Sequence, residues 1–313
     1  MKIGIDVMGG DYAPETIVLG AIMAVKILND TTIVLIGDKR KIEDIISREN
    51  FTGNNIEIVH ASQVIEMGEL PAKVFPKKPD SSIAVGYKLL EKKEIQGFCG
   101  AGNTGAMMVG ALYSVKQIPG VIRPCIMTTL PRISGKDAIL LDVGINIDCK
   151  PDVLYQYGII GSLYAQVVRN IENPKVGLLN IGEEEEKGNL QTKATHSLMK
   201  NNNEFNFIGN IESNYLFDDS IADVIICDGF TGNIILKMAE NFYSLMKQRG
   251  LENDEYFNRF NFETYGGIPI LGINSTVIIG HGISNEIAIK NMLLQTQKVA
   301  EVNLSEKIRE RFK

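Results

Sequence analysis

The sequence predicts an α/β fold built on a doubly wound, mostly parallel β-sheet. Short runs of β-branched and apolar residues recur along the chain, and each run is followed by a turn with Gly or Asp and then by a helical pattern. The runs are apolar throughout, which is typical of strands that helices cover on both faces. Right-handed crossovers then bring the strand-to-helix loops together at the carboxyl edge of the sheet, where ligands bind.

The predicted elements follow one another as strand–helix pairs. Pro14 opens the first helix, because proline is favoured in the first helical turn. In order, the pairs are 2–6 with the helix from Pro14, 32–36 with 39–48, 95–99 with about 106–115, 138–141 with 151–169, 176–180 with 190–200, 223–227 with 234–247, and 276–279 with a last helix that ends near Lys307. Residues 64–80 and 249–267 interrupt this alternation. We therefore expect a single α/β catalytic unit over residues 1–313, with a helical excursion at about 236–267.

The composition excludes several classes of protein. The chain has 313 residues and a net charge of −6, whereas a protein that binds nucleic acid usually carries a basic excess. The four cysteines are far apart, so neither a zinc site nor a disulfide framework is predicted. No stretch resembles a signal peptide or reaches the ~20 apolar residues that span a bilayer. We expect a soluble, cytoplasmic protein, and the residues indicate no metal site and no cofactor.

Two glycine-rich loops are the first candidates for a binding site. Residues 100–106 read GAGNTGA and residues 228–233 read DGFTGN, and each lies between a predicted buried strand and a helix start. Glycines allow the backbone to approach a ligand, and a helix N-terminus offers free N–H groups. Such loops suit a phosphate or a developing oxyanion. The alternative interpretation is a plain glycine turn capped by Asn or Thr.

Three further loops carry polar side chains at the same predicted edge. Residues 181–189 hold four consecutive glutamates and then Lys187, whose ammonium could reach a bound anion. Contiguous carboxylates are usually solvated and make a poor metal site. Asp142 and Asn146 follow a predicted strand, where hydrogen bonds that close the turn are the simpler explanation. His281 lies between two glycines and is a candidate acid, base or anion contact.

The residues give little support for covalent catalysis. The sequence has no G-x-S-x-G motif, which excludes an α/β-hydrolase. Cys99 and Cys227 each end a predicted strand before a glycine loop. A buried cysteine that acts as a small apolar residue is the commoner explanation for such a position.

The loops also match the sequence motifs of a known family. Seven fragments occur in order, namely IDVMGGD at 5–11, GAGNTGAMM at 100–108, IPGVIRPCI at 118–126, LDVGIN at 141–146, LLNIGEEEEKGN at 178–189, CDGFTGN at 227–233 and IIGHGISN at 278–285. Together they resemble the PlsX-type phosphate acyltransferases, also called acyl-ACP:phosphate transacylases, over essentially the whole chain.

The resemblance implies both a fold and a reaction. The expected fold is Rossmann-like, of the type shared by phosphotransacetylases and isopropylmalate dehydrogenases. The expected reaction moves a fatty acyl group from acyl carrier protein to inorganic phosphate and gives an acyl phosphate for phospholipid synthesis. The resemblance also implies a homodimer and a peripheral contact with the inner face of the membrane.

The resemblance further implies the site residues. Lys187 and Asn233 match the active-site Lys and Asn of the family, and His281 lies in another matched motif. Our mechanistic hypothesis adds His281 as a third catalytic candidate, which assists the leaving thiolate. The residues expected to bind substrate also lie in the matched loops: Asp6, Asp11, Gly102, Asn103, Thr104, Gly105, Asp142, Asn146, Gly229, Thr231 and Gly232.

Three positions depart from the family pattern. Gly100 stands where the family usually has Ser, and Ile145 stands where it has Ala. Residues 209–215 read GNIESNY and lack the Arg-Asp pair expected there. If that pair holds phosphate or orders a lid in the family, this chain must do so with other residues.

The mechanism expected from these residues needs no nucleophile–base pair, because phosphate is already an anion at neutral pH. Lys187 and the main chain of residues 100–106 are assigned to phosphate, and Asn233 to the oxyanion or the thioester. Three alternatives stay open. They are a short-chain phosphate acyltransferase that uses acyl-CoA, a non-catalytic sensor of phosphorylated or acylated ligands, and a metal-dependent hydroxy-acid dehydrogenase.

The segment 245–265 is a candidate for dimer or weak membrane contact. Its apolar side chains are Leu245, Met246, Leu251, Tyr256, Phe257, Phe260, Phe262 and Tyr265. Over residues 249–263 two arginines face four carboxylates, a balance of 2 − 4 = −2. A basic helix attracted to anionic lipid is therefore not predicted, and any membrane contact would depend on the apolar side chains.

Overall fold

The computed structural model describes residues 1–218, 221–251 and 254–313. It divides into two compact units. The first consists of Met1–Gln117 with Phe262–Ser305, and the second of Ile118–Asn261 with Glu306–Lys313. Within the excursion expected at 236–267, residues 252 and 253 and the side chain of Phe262 lie outside the described part of the chain.

The described residues form strands and helices that largely alternate. The strands are β1 (Lys2–Asp6), β2 (Thr32–Gly37), β3 (Ile56–His60), β4 (Gly97–Gly100), β5 (Cys125–Pro131), β6 (Asp137–Leu141), β7 (Lys175–Leu179), β8 (Asn206–Ile211), β9 (Val224–Ile226), β10 (Ile268–Leu271) and β11 (Thr276–Ile279). The helices are α1 (Glu15–Val25), α2 (Lys39–Arg48), α3 (Pro71–Val74), α4 (Ser82–Glu91), α5 (Thr104–Gly110), α6 (Pro151–Arg169), α7 (Leu190–Lys200), α8 (Gly229–Gln248), α9 (Glu255–Asn258), α10 (Phe262–Tyr265), α11 (Glu286–Glu301) and α12 (Leu304–Arg311).

The sheet of the first unit has the strand order β3-β2-β1-β4-β11-β10. Its strands are parallel except that β10 runs antiparallel to β11. Ile3, Val18 and Ile289 belong to one buried apolar cluster that joins β1, α1 and α11. Since β1, β4 and β11 are neighbours and run the same way, the loops that follow them emerge at one edge of this sheet.

The sheet of the second unit has the strand order β5-β6-β9-β7-β8. Its strands are parallel except that β5 and β6 form an antiparallel pair. A Cβ on Gly161 of α6 would come within 2.6 Å of Val224 and 2.9 Å of Leu141, so this glycine allows the helix to lie close to the sheet. Because β6, β9 and β7 are neighbours and run parallel, the loops that follow them emerge at one edge of this sheet.

The structure confirms the predicted α/β class with a mostly parallel sheet. It differs from the prediction at the start of α8, which begins at Gly229 and not near 234. The reason is that Asp228 caps the helix and accepts a hydrogen bond from the Thr231 nitrogen over 2.9 Å. The DGFTGN sequence is thus the first turn of a helix, although Thr and Gly are weak helix formers.

The last predicted helix is also interrupted. It ends at Glu301 and a new helix begins at Leu304, with Asn303 between them at φ = 50°. Asparagine tolerates this left-handed conformation better than most residues, which explains the break. None of the helices in the described part of the chain combines the length and the apolar character needed to cross a bilayer.

Candidate functional site

In the first unit, Asp6 forms the base of the loop edge. It ends β1 and is buried, with its Oδ1 accepting a hydrogen bond from the Met8 nitrogen over 3.0 Å. Burial raises the pKa of the Asp6 carboxyl above its usual value. Gly9 and Gly102 lie directly over this carboxyl, and a Cβ on Gly102 would come within 2.9 Å of Asp6 Oδ2. Asp6 therefore supports the two glycine loops from below.

Three loops of the first unit meet above Asp6. A Cβ on Gly9 would lie 2.5 Å from the Gly102 Cα, so the loops after β1 and β4 are in backbone contact. The main-chain nitrogen of Asp11 donates to the Gly282 oxygen over 2.8 Å, which joins the loop after β11 to the same group. The structure thus brings Asp6, Asp11 and the loops around Gly102 and His281 together, and Asp11 itself is exposed.

The side chain of Asn103 is fully engaged with protein groups. Its Oδ1 caps α5 by accepting from the Ala106 nitrogen over 2.9 Å. Its Nδ2 donates to the main-chain oxygens of Glu66, Met67 and Glu69 at 3.0–3.1 Å. Asn103 therefore holds residues 66–69 against the glycine loop, and only its main chain is left for a ligand.

The neighbours of Asn103 differ in their exposure. Thr104 begins α5 and is exposed, so its hydroxyl is accessible. A Cβ on Gly105 would overlap with Pro71, so this glycine lets the segment before α4 approach the helix start. The predicted roles of these residues and of Gly102 in substrate binding stay predictions.

In the second unit, Asp142 and Asn146 form a buried hydrogen-bonded pair after β6. Asp142 Oδ1 accepts from the Ile126 nitrogen over 3.1 Å, and its Oδ2 accepts from the Asn146 nitrogen over 2.7 Å. Asn146 Nδ2 also donates to the Pro124 oxygen and the Tyr157 hydroxyl, each at 2.7 Å. Burial raises the pKa of the Asp142 carboxyl. These contacts fix the conformation of the loop.

The first turn of α8 packs directly on this loop. The Gly229 nitrogen donates to the Asn146 oxygen over 2.8 Å. A Cβ on Gly232 would overlap with the main-chain oxygen of Asp142, so only glycine permits this approach. Asn233 Nδ2 donates to the Val143 oxygen over 3.1 Å. The Thr231 hydroxyl donates to Asp228 Oδ2 over 3.0 Å.

Lys187 lies in a tight turn between β7 and α7. Its side chain is 48% exposed and its Nζ is 4.0 Å from Glu184. Gly188 adopts φ = 90°, a conformation that favours glycine, and Asn180 Nδ2 donates to the Lys187 oxygen over 3.2 Å. Asn189 caps α7 by accepting from the Thr192 nitrogen over 2.9 Å. The turn is therefore held by its main chain while the ammonium reaches into solvent.

A cavity of about 690 Å³ joins two of the predicted loops within the second unit. It lies at the carboxyl ends of β7 and β9, between the first turns of α7 and α8. Its lining consists of Leu154, Leu178, Leu179, Asn180, Ile181, Gly188, Asn189, Thr192, Glu212, Ser213, Cys227, Asp228, Phe230, Thr231, Ile234 and Ile235. The turn that carries Lys187 and the helix start that carries Asn233 thus border one cavity, although neither of these two residues belongs to its lining.

Sequence reasoning missed several residues of this cavity. Asn180, which secures the Lys187 turn, was predicted only as a strand end. Its position directly after a buried strand was the available signal. Leu154 carried no signal, because it is an ordinary apolar residue of α6, and Leu178 was included in the matched fragment at 178–189 without a predicted role.

All four cysteines are buried, which confirms the prediction made for Cys99 and Cys227. Burial raises the pKa of the Cys99 thiol to about 12 and that of Cys149 to about 11, and it raises the pKa of Cys227 strongly as well. A thiol with such a pKa is protonated at neutral pH and is a weak nucleophile. Within residues 1–218, 221–251 and 254–313, no group of three His, Cys, Asp or Glu side chains is arranged to hold a metal ion.

The fold and the strand-end loops define an α/β enzyme with a cavity bordered by helix starts and one lysine turn. The sequence profile of the family described as "Fatty acid synthesis protein" matches residues 1–307. The chain belongs to this family, the PlsX-type phosphate acyltransferases, and is a transferase.

Relatives named "Phosphate acyltransferase" match nearly the whole chain. The protein of Dictyoglomus turgidum is 42% identical over 328 residues, which cover 99% of this chain and 97% of that protein. The protein of Acetivibrio thermocellus is 41% identical over 330 residues, covering 100% and 96%. The protein of Bacillus subtilis is 37% identical over 331 residues, covering 100% and 98%.

Solved structures with a similar fold are more distant in sequence. A phosphotransacetylase from Streptococcus pyogenes has a TM-score of 0.70 at 16% identity, covering 96% of this chain and 94% of that one. The EutD phosphotransacetylase from Staphylococcus aureus has a TM-score of 0.67 at 17% identity, with the same coverage. At such low identity the likeness shows the fold alone.

Proposed function

We propose that this chain transfers a fatty acyl group from acyl carrier protein to inorganic phosphate, and that the acyl phosphate feeds phospholipid synthesis. The observation that carries the proposal is the match to phosphate acyltransferases at 37–42% identity over almost the full length of both partners. The cavity between the Lys187 turn and the start of α8 supports it, since both elements belong to the matched motifs.

The reaction consists of one displacement at a thioester. An oxygen of phosphate attacks the carbonyl carbon, a C–O bond forms, and the C–S bond breaks to release the carrier thiol, which takes up a proton. Phosphate needs no base to become a nucleophile. The protein must therefore position the dianion next to the carbonyl and stabilise the oxyanion that forms.

Two groups of the second unit are suited to these tasks. The Lys187 ammonium is half-exposed, and its only ion pair among the described residues is the 4.0 Å contact with Glu184, so it is available to pair with phosphate. Asn233 uses one amide proton for the Val143 oxygen, which leaves a second proton for a substrate oxygen. We assign Lys187 to phosphate and Asn233 to the oxyanion or the thioester. The role of His281 as an aid to the leaving thiolate stays a separate proposal.

The decisive experiment gives the purified protein an acyl donor and phosphate and traps acyl phosphate with hydroxylamine. We expect product from long-chain acyl carrier protein, and only in the presence of phosphate. Product from acetyl-CoA but not from acyl carrier protein would favour the short-chain alternative. Donor binding without loss of thioester would indicate a sensor.

A homodimer and a weak membrane contact are also part of the proposal. Helix α8 presents an exposed apolar stripe of Phe230, Ile234, Met238, Phe242 and Leu245 at a spacing of about one turn. A stripe of this kind suits either burial against a second copy of the chain or contact with lipid. In the segment that follows, Tyr256 packs on Phe257 and Phe260 with ring centroids 5.5 Å apart, so those rings are partly covered.

A further inference from the structure

The cavity of the second unit changes character from its floor to its mouth. The buried residues of its lining are Leu154, Leu178, Leu179 and Cys227, and none of them carries a charge. The polar side chains of the lining, such as Asn189, Thr192 and Thr231, are half-buried or exposed. A ligand that fills this cavity would therefore place an apolar part inside and a polar part at the rim.

The charges of the lining argue against an anionic ligand inside the cavity. Glu212 and Asp228 belong to the lining, whereas the described lining residues include no lysine or arginine. A nucleotide or a free phosphate on the floor would meet only uncharged walls, and the two half-buried carboxylates of the lining would repel it. The nearest basic group in the sequence, Lys187, adjoins Gly188 at the rim and lies outside the lining. An uncharged hydrocarbon tail fits the floor best.

We propose that this cavity binds the hydrocarbon chain of the acyl group, with the carbonyl end at the rim beside Gly188 and Thr231. The proposal rests on the proposed function and names the place where its substrate is held. A volume of about 690 Å³ is within the ordinary range of ligand pockets. In this arrangement Leu154 and Leu178 limit the length of chain that enters, since they close the floor.

The chain contains no tryptophan, which permits a direct test of binding. Phe230→Trp places a single fluorophore at the cavity, and Phe242→Trp places one on the same helix outside the lining. The two phenylalanines are a matched pair, with exposed fractions of 57% and 55%. Each variant is titrated with hexanoate, octanoate, decanoate and dodecanoate below their micellar concentrations, and with acetate as a control without a tail.

We expect the emission of Phe230→Trp to shift to shorter wavelength in a saturable manner, while Phe242→Trp stays unchanged. The affinity should tighten about fourfold for each methylene that enters the cavity, until the floor is reached. Acetate should cause no shift. Equal responses of the two reporters would overturn the proposal, because they would show that fatty acids coat the apolar stripe. The absence of a saturable response at Phe230→Trp would overturn it as well.

A second variant tests the floor directly. Leu179→Phe directs a larger side chain into the cavity, whereas Leu198→Phe makes the same change at an exposed position of α7 outside the lining. In the Phe230→Trp background, Leu179→Phe should end the gain in affinity at a shorter chain, and Leu198→Phe should not. If the affinity depended on the length of the fatty acid in the same way in both variants, the proposal would be contradicted. These measurements need no turnover, so a failure of acyl phosphate formation would be seen separately in the hydroxylamine assay of the unaltered protein.

Discussion

The side-chain amide of Asn233 donates to the main-chain oxygen of Val143 over 3.1 Å. Asn233 lies near the start of α8, and Val143 lies in the loop after β6. The bond therefore joins the beginning of this helix to the loop that follows the strand. It also fixes the direction of the amide. The remaining amide proton is then held ready for an oxygen of the substrate.

Asn233→Ala should lower kcat by about 10²–10³-fold, the usual effect of losing one oxyanion donor. The fold should persist, because one lost hydrogen bond costs only about 1 kcal/mol. The measurement is turnover of acyl carrier protein thioester, with thermal unfolding as the check on folding. A folded variant with near-normal turnover would remove Asn233 from the site.

Lys187→Ala should raise the KM for phosphate at least about tenfold, because a lost charge-assisted contact is worth roughly 1.5–3 kcal/mol. Lys193→Ala removes an exposed lysine from the neighbouring helix α7 and provides the control. Initial rates at varied phosphate give both constants. If the two variants show the same KM for phosphate, Lys187 does not bind it.

Gly232→Ala should destabilise the protein by about 1–3 kcal/mol, even though alanine is the better helix former. The reason is the overlap between a Cβ at this position and the Asp142 oxygen. Gly68→Ala is the control, since a Cβ there would contact nothing within 4 Å. Urea unfolding of both variants measures the difference. A Gly232→Ala protein as stable as Gly68→Ala would show that α8 can move away from the loop at no cost.

Asp6→Asn should change how stability depends on pH. Burial raises the pKa of the Asp6 carboxyl above 3.8, so the folded state binds its proton more tightly than the unfolded state does. The contribution of this group to the free energy of unfolding is therefore most favourable below pH 3.8 and is lost as the pH rises through the raised pKa. Asp6→Asn does not show this loss, because the asparagine amide does not ionise. The free energy of unfolding of the variant, relative to the unaltered protein, should rise as the pH increases above 3.8. A difference that stays constant as the pH increases would contradict the prediction.

Phe242→Asp/Leu245→Asp should reduce flotation with anionic vesicles several-fold, because the exposed apolar side chains of α8 would carry any lipid contact. Phe257→Asp/Phe260→Asp should have the smaller effect, since these rings pack against Tyr256. Light scattering of each variant reports the oligomeric state and separates dimer loss from lipid loss. Unchanged flotation of both variants would end the proposal of membrane contact.

Local chemistry explains what the sequence could reveal. The Asp142–Asn146 turn was predictable because the side chain of Asp142 bonds to the backbone only four residues further on. The α/β class was predictable because central strands such as β2 and β9 are apolar along most of their length. The start of α8 was not predictable from the sequence. Its glycines are needed because the helix packs closely against the main chain of Asp142, and this contact exists only in the folded chain.

Long-range packing explains what the sequence could not reveal. Asn103 looked like a ligand contact, yet its amide is occupied by the main-chain oxygens of Glu66, Met67 and Glu69. The cavity depends on Leu154 of α6, which belongs to no matched motif, and on its packing near Leu178 of β7. The sequence motifs indicated the loops on either side of the cavity, but they did not indicate the cavity.

The strand order of the first unit has a consequence for the synthesis of the chain. β4 pairs with β11, and β10 pairs with β11 in turn, although both late strands follow the entire 118–261 segment. While the ribosome is still translating that segment, one side of β4 has no strand to bond with. An open edge of this kind invites pairing with other nascent chains. We therefore expect premature termination between Gly100 and Thr276 to yield an aggregating fragment, so residues 276–313 decide whether the strands formed by residues 1–100 become part of a finished sheet.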